Sequence, residues 1–255
     1  MTAPSPAEVF DLTGRTALVT GASSGLGNRF ARVLAAAGAT VWASARRKDR
    51  LEELAAEVEG VRPVRCDVAS ESDRAALVDH VVSETGPLDV LINNAGTASK
   101  AKPHEESSAA FTEVLETNLV APFHLAQLVA GVAEGRAVSI VNVSSIVGVV
   151  STAPRGGAGY AAGKSGLIGL TRQLAGHWGR NGVRVNALAP GWFRTEMNDA
   201  MFEDDASVRW IERNTMLRRS GDQSELDGAL LFLASAASTY CTGQVLAIDG
   251  GWTAR

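Results

Sequence analysis

Two side chains four residues apart, Tyr160 and Lys164, form the pair in this 255-residue chain with the clearest capacity for chemistry. On a helix that spacing puts both on one face. A free phenol ionises at a pH of about 10 and is a poor base at neutrality. A neighbouring ammonium favours the phenolate, so Lys164 is expected to draw the Tyr160 pKa down. Such a tyrosine can give or take the proton of an alcohol or carbonyl oxygen while hydride moves to or from a nicotinamide. Ser145, at the end of a β-branched run, is placed to hydrogen-bond the same oxygen. Tyrosine–lysine pairs at this spacing are common on helices. The company this pair keeps is what makes it specific.

Bringing these groups together takes a rigid frame, and the chain's pattern says which. Short apolar runs at 16–20, 40–45, 63–66, 88–92, 139–143, 183–187 and 244–248 alternate with helix-like stretches at 25–37, 70–84, 111–133, 160–179 and 223–234. Strands joined through helices make right-handed crossovers, so the pattern predicts an α/β fold, a doubly wound parallel sheet with helices on both faces. The runs are apolar throughout, as burial on both sides demands. No repeat or linker interrupts them, and residues 1–255 read as a single domain. The least patterned stretch, 192–220, is rich in methionine and aromatic residues and reads as a small substrate lobe or lid.

The first run leads into Thr20-Gly21-Ala22-Ser23-Ser24-Gly25-Leu26-Gly27 and then a helix. Glycines allow a tight turn and a close backbone approach, and a helix N-terminus offers unpaired N–H groups to an anion. A dinucleotide pyrophosphate suits such a loop. The spacing, G-x-x-x-G-x-G, differs from the commoner G-x-G-x-x-G, and by itself it also describes an ordinary glycine-rich turn. Three more loops fall at the carboxyl ends of later strands, the edge where such sheets bind ligands: Asp67-Val68, Asn94-Ala95-Gly96 and Pro190-Gly191. After the second run come Arg46, Arg47 and Lys48, while the nearest acid, Asp49, lies inside the next helical turn. An acidic residue here meets a ribose 2′-OH, whereas arginine meets a 2′-phosphate. Cations at a helix start oppose its dipole, a local cost that a bound phosphate explains. NADP is therefore the preferred cofactor, with Arg46 as its reader and NAD as the alternative.

In this arrangement the chain resembles the short-chain dehydrogenase/reductase family, in its compact single-domain branch. The segments that carry the resemblance are TGASSGLG, CDV, NNAG, ETNLVAPF, NVSS with Gly148, YAAGK, VRVNALAPGWFRTEM and GQVLAIDGG, spread over residues 12–253. It implies a Rossmann-like sheet of seven strands in the order 3-2-1-4-5-6-7, and a catalytic tetrad. Matched by motif, Asn118 would hold a proton-relay water and Ser145 would orient the substrate oxygen. Tyr160 would be the acid/base, Lys164 would bind ribose hydroxyls, and Thr195 would contact the nicotinamide carboxamide. Ser144 rivals Ser145, which is preferred because Ile146-Val147-Gly148 follows it. Ser145 precedes Tyr160 by fifteen positions, a longer gap than the family's usual one, which puts extra length in loop 151–157. Gly159 loosens the start of the tyrosine's helix. The resemblance also implies a homotetramer, or at least a dimer, assembled through the helices at 111–133 and 160–179. Leu167, Leu170, Leu174 and Trp178, together with Trp252, are expected to mark that contact.

Composition bounds the remainder. A net charge of −4 leaves no footprint for nucleic acid or an anionic membrane. Cys66 and Cys241 fit no metal-ligand or redox spacing, and free thiols point to the cytoplasm. The first residues lack the features of a secretory signal, and the four histidines show no metal spacing. The expected activity interconverts a secondary alcohol and a carbonyl, on an apolar substrate if the lobe's methionine and aromatic side chains line the pocket. One alternative is a 3-oxoacyl-thioester reductase, for which Arg136 and Arg180 are candidates to dock an acyl carrier protein. Another is a cofactor-binding sensor without catalysis, against which the intact set Asn118, Ser145, Tyr160 and Lys164 argues.

Overall fold

The computed structural model describes residues 4–99, 101–133 and 135–255. The apolar runs become β1 (Thr16–Thr20), β2 (Thr40–Ala45), β3 (Val61–Arg65), β4 (Val90–Asn93), β5 (Val138–Val143), β6 (Val183–Pro190) and β7 (Val245–Ile248). All pair in parallel, in the order β3-β2-β1-β4-β5-β6-β7 that the resemblance implied. The helices are α1 (Pro6–Phe10), α2 (Gly25–Ala36), α3 (Lys48–Glu57), α4 (Glu71–Thr85), α5 (Ser108–Leu115), α6 (Ala121–Gly131), α7 (Ala158–Trp178), α8 (Asp199–Phe202), α9 (Asp205–Asn214) and α10 (Asp227–Ala234). None of the described helices is long and apolar enough to cross a membrane.

Alternation along the strands divides the core into two layers. Ala17, Val19, Val41, Ala43, Ile92 and Val141 face one side, where Phe30 and Leu34 of α2, Leu51 and Leu54 of α3 and Leu230 and Leu233 of α10 cover them. Leu18, Trp42, Leu91, Ile140 and Val185 face the other, under Leu77 and Val81 of α4, Leu125 and Val129 of α6 and Leu174 of α7. Each such side chain contributes about 1.5–3 kcal/mol by leaving water. The sheet is therefore a stiff plate clamped from both faces, and its carboxyl edge is a fixed reference for the loops that leave it.

Several boundaries differ from the sequence reading. The strand expected at 63–66 runs from Val61 to Arg65 on the sheet's edge, where Pro63 has no internal ladder position to spoil. The run at 183–187 extends to Pro190. The single helix expected at 111–133 is instead α5, a π-helical turn at Glu116–Val120 and α6. The sequence reading gave no range to four helices: α1, with its Ser5/Glu8 capping box, α3, of which only the start was read, and α8 and α9 in the lobe.

Two expectations about an oligomer contact are corrected. Leu167 and Leu174 are buried within the chain's own core at 0% and 6% exposure, and Leu170 and Trp178 pack against the same layer. Leu167 and Leu174 are thus covered from within, while Leu170 and Trp178 keep part of their surface exposed. Trp252, expected to anchor against a neighbour, is 2% exposed and meets Trp192 and Trp210 edge to face, at ring-centroid distances of 5.6 and 5.0 Å. These three indoles, one at the start of the 192–220 stretch, one on α9 and one near the C-terminus, pack on one another as a small aromatic cluster.

Candidate active site

Six strand ends open into one cleft of about 840 Å³, and every cofactor-binding residue named from sequence lines it. Thr20, the last residue of β1, fastens the cleft's floor. Its hydroxyl accepts from the amides of Asn94 and Ala95, both at 3.1 Å, and the Asn94 side chain donates to the Thr20 carbonyl at 2.9 Å. The Gly21–Gly27 loop is thus tied to Asn94-Ala95-Gly96. Within the loop, Gly27 packs so closely that a Cβ would come 2.3 Å from the Gly21 carbonyl oxygen. Helix α2 starts there, and its N-cap residue, Ser24, makes no side-chain capping bond. An uncapped helix N-terminus beneath a glycine loop is a built anion site, which fits a pyrophosphate. Thr195 sits over this helix start, 3.3 Å from where a Gly25 Cβ would be. Asp67 turns back to accept from the Ala69 amide at 3.1 Å, while Val68, Pro190 and Gly191 complete the wall.

Arg46 is exposed at the rim, but its neighbour Arg47 is the better held of the two. The Arg47 guanidinium donates to the hydroxyls of Ser23 at 3.2 Å and Ser24 at 2.8 Å, and to the Glu196 carboxylate at 2.9 Å. Glu196 is held below the usual carboxylate range by those bonds from Arg47 and from Ser24. Sequence reasoning singled out neither as a site residue. Arg47 was legible as part of the basic triplet, whereas Glu196 lies in the unpatterned lobe and meets Arg47 only through the tertiary fold.

At the other end stand the candidate catalytic groups. Tyr160 lies in the first turn of α7 and opens into the cleft, and Lys164 follows one turn later at 3% exposure. The Lys164 ammonium donates to the Val143 carbonyl at 2.7 Å and lies 5.6 Å from the centroid of the Tyr160 ring. Ser145 reaches the Tyr160 hydroxyl from the end of β5, and that hydrogen bond favours the phenolate. Ser144, which lines the same cleft, donates its hydroxyl to the Lys164 carbonyl at 2.9 Å. Asn118 is wholly buried in the π-helical turn, behind the cleft wall. It accepts from the Thr97 amide at 3.0 Å and donates to the Thr97 carbonyl at 2.7 Å. Extra-residue turns of this kind often mark functional sites because they re-aim a side chain. Here the turn delivers Asn118 to the loop beyond β4.

The electrostatics correct one expectation. In the protein by itself Lys164 does not pull the phenol down. Burial pushes Tyr160 above the ordinary tyrosine value, with the Ser145 bond opposing it, and burial holds Lys164 down at about 8. Desolvation disfavours both charged forms, and it outweighs their mutual support because the ammonium is directed at Val143. Asn142 and Asn186 hold strands and loops together. Asn142 links Asn93 to Thr171 at 2.9 Å on each side, and Asn186 accepts from the Gln244 amide at 3.0 Å.

The sequence and fold match known proteins over almost their whole length. A family model described as enoyl-(acyl carrier protein) reductase covers residues 21–253. Gluconate 5-dehydrogenase of Gluconobacter oxydans is 38% identical over 253 residues, 96% of this chain and 97% of that protein. A short-chain type dehydrogenase/reductase from Mycobacterium marinum superposes with a TM-score of 0.93 at 34% identity, covering 98% of this chain and all of that one. A gluconate 5-dehydrogenase from Burkholderia cenocepacia J2315, in complex with NADP and tartrate, gives 0.92 at 34% identity, with 98% and 100% covered.

Proposed function

The chain belongs to the short-chain dehydrogenase/reductase family, and on that premise we propose that it is an NADP-dependent oxidoreductase interconverting a secondary alcohol and a ketone, with Tyr160 as the acid/base. The observation that carries the proposal is the convergence of the Tyr160 and Ser145 hydroxyls with a buried Lys164 beside a glycine-loop anion site, in one cleft. NADP supplies the site of hydride gain or loss. The chain's part is to hold the substrate oxygen between two hydroxyls and to exchange its proton with the Tyr160 oxygen. Ser145 orients that oxygen. Lys164 and Asn118 stand behind the phenol, where a ribose hydroxyl and a water can link them to solvent. Arg46 and Arg47 together meet the 2′-phosphate.

The substrate we infer is small and hydroxylated, of the sugar-acid kind, rather than apolar. The lobe's tryptophans pack on one another, and although its Phe193 and Met197 reach the cleft, Thr97, Glu113, Thr117 and Asn198 line it beside them. Gluconate dehydrogenases among the relatives support the same class. The acyl-carrier reading weakens because Arg136 is engaged with the buried Asp89 at 3.1 Å, alongside Arg15 on the same oxygen. Assembly of several copies, in the cytoplasm, remains part of the proposal on family resemblance. Light scattering after size-exclusion chromatography reads the mass.

Replacing Tyr160 with Phe tests the core of the proposal. Turnover should fall by a factor of about 10²–10⁴ while NADPH affinity stays within a few-fold. Retention of more than about a tenth of the wild-type kcat sinks the assignment. Gluconate with NADP, run beside simple secondary alcohols, tests the substrate class. Equal rates on both would remove the sugar-acid reading.

A further inference from the structure

Helix α7 begins where its own sequence helps least. Its N-cap, Gly157, has no side chain to cap with, and no acidic residue stands in its first turn. The positive end of a 21-residue helix, with its first amides unpaired, therefore lies at the residues leading into Tyr160. The missing acceptor comes from outside the helix. Glu106, in the loop between β4 and α5, places Oε2 3.0 Å from the Gly159 amide. Its own amide donates to the Lys102 carbonyl at 3.0 Å, and the next residue, Ser107, caps α5. The carboxylate is thus anchored to the helix that packs on α7. Its other oxygen, Oε1, is buried and has no hydrogen-bond partner among the described residues. A Cβ at position 159 would lie 3.1 Å from that oxygen and 3.3 Å from the Phe111 ring. The glycine that reads as a weak point in the sequence is what lets the carboxylate and α5 close on the helix start.

A cap alone does not call for this arrangement. A serine at position 157 or a neutral amide at 106 could accept the same N–H, without leaving a carboxylate oxygen buried and unbonded. What the carboxylate adds is negative charge against the helix's positive end, at the amide of the residue before Tyr160. We propose that Glu106 is a positioning residue for Tyr160 that also sets its proton affinity, fixing the start of α7 and raising the phenol's pKa. The inference rests on Tyr160 being the acid/base. The other charged groups around the phenol are Lys164 on its own helix, Glu113 and Glu116 on the adjoining wall, and Arg46, Arg47, Asp67 and Glu196 farther along the cleft. Glu116 is already paired with the buried Arg74 at 2.9 Å.

The chain has two tyrosines, Tyr160 and the fully exposed Tyr240, so the phenol can be read directly. In a Tyr240→Phe background, without cofactor, tyrosinate absorbance follows Tyr160 alone. Glu106→Gln, which keeps the shape and removes the charge, should lower its pKa by about half a unit to one unit. The acid limb of the pH profile for alcohol oxidation should move down with it, because loss of the carboxylate eases phenolate formation. Glu106→Ala should lower kcat by about tenfold or more through misplacement of the phenol, with NADPH affinity within twofold. If the alanine variant does not fold, the glutamine variant still decides. A Tyr160 titration unchanged or raised in Glu106→Gln overturns the proposal and leaves Glu106 a helix cap only. The absorbance titration reads the phenol whether or not the chain turns over, so it fails separately from the proposed activity.

Discussion

Exchanging Lys164 for methionine removes a buried ammonium while keeping most of its stem, and the consequence for stability can be worked out from its surroundings. The residue is 3% exposed, so solvent screens it little. Burial holds its pKa at about 8 against an ordinary 10.5. The folded chain therefore binds this proton more weakly than the unfolded chain, and the charge opposes folding at neutral pH. The opposition is lost as the pH rises from about 8 through 10.5, where both states become neutral. The fall from 10.5 to about 8, at 1.36 kcal/mol per pH unit, is about 3 kcal/mol at pH 7. About 1 kcal/mol of it persists at pH 10, so about 2 kcal/mol disappears between the two. The hydrogen bond to the Val143 carbonyl, 2.7 Å long, offsets part of the cost when the ammonium is charged but does not change the direction of the slope. Urea unfolding of the cofactor-free wild type and of Lys164→Met, at pH 7, 8.5 and 10, isolates this group because the other titrations are shared. The stability difference should move in favour of the wild type by about 2 kcal/mol across that series. Parallel stabilities at all three values would show that the ammonium is not desolvated as the geometry requires.

The glycine loop, the lobe and the basic triplet each yield a further expectation. Gly27→Ala places a Cβ 2.3 Å from the Gly21 carbonyl oxygen and 2.4 Å from Asn94 Nδ2, so NADPH affinity should fall by about tenfold or more while circular dichroism stays native. Fluorescence titration reads the affinity, and an unchanged Kd would mean that the loop is not the pyrophosphate cradle. Trp252→Ala should cost about 3 kcal/mol in urea unfolding, since it empties the centre of the lobe's aromatic core. A loss below about 0.5 kcal/mol would return Trp252 to a role outside its own chain. Arg46→Ala and Arg47→Ala should each reduce the NADPH-over-NADH ratio of kcat/KM by about tenfold, the worth of a charge-assisted bond to phosphate. A wild type that prefers NADH would refute the phosphate-reading role of both.

What could be read from sequence was whatever local rules determine. The parallel sheet covered on both faces followed from apolar runs alternating with crossover helices, its strand order followed from the family resemblance, and the cleft followed from Gly21, Asn94 and Pro190 all lying at strand ends. Tyr160 and Lys164 were visible because a spacing of four fixes a shared helix face. The stretches that sequence misread depend on contacts between distant segments. Leu167 and Leu174 looked like a surplus apolar stripe because periodicity counts faces but not what covers them. Trp252 looked like a free anchor because its partners, Trp192 and Trp210, are 60 and 42 positions away. Glu196 lies in a segment that carries the family resemblance but was given no role there, and its meaning comes from Arg47 lying within 2.9 Å after folding.

The places where this chain departs from ordinary local structure fall together at one edge of the sheet. Helix α2 starts without a side-chain cap, α7 starts on a glycine, and the helix between β4 and β5 is interrupted by a π-helical turn. Lys164 is buried, and Glu106 has an oxygen with no partner among the described residues. Each departure carries a cost of about one to a few kcal/mol, and scattered departures of that size would weaken a domain whose net stability is only about 5–15 kcal/mol. They are tolerated together because the two apolar layers on either side of β1, β4 and β5 hold the strand ends fixed whatever the loops do. The uncapped α2 offers its amides to a phosphate, the π-turn aims Asn118 at Thr97, and Glu106 supplies α7 with the acceptor it lacks beside Tyr160. Each exception thus leaves a polar group pointing into the cleft or holding one that does. A substitution that merely repaired one, such as Gly157→Ser to cap α7, should therefore raise thermal stability while displacing Glu106 and lowering kcat. If it raised both, the glycine start of α7 would be an accident of the sequence and not part of the site.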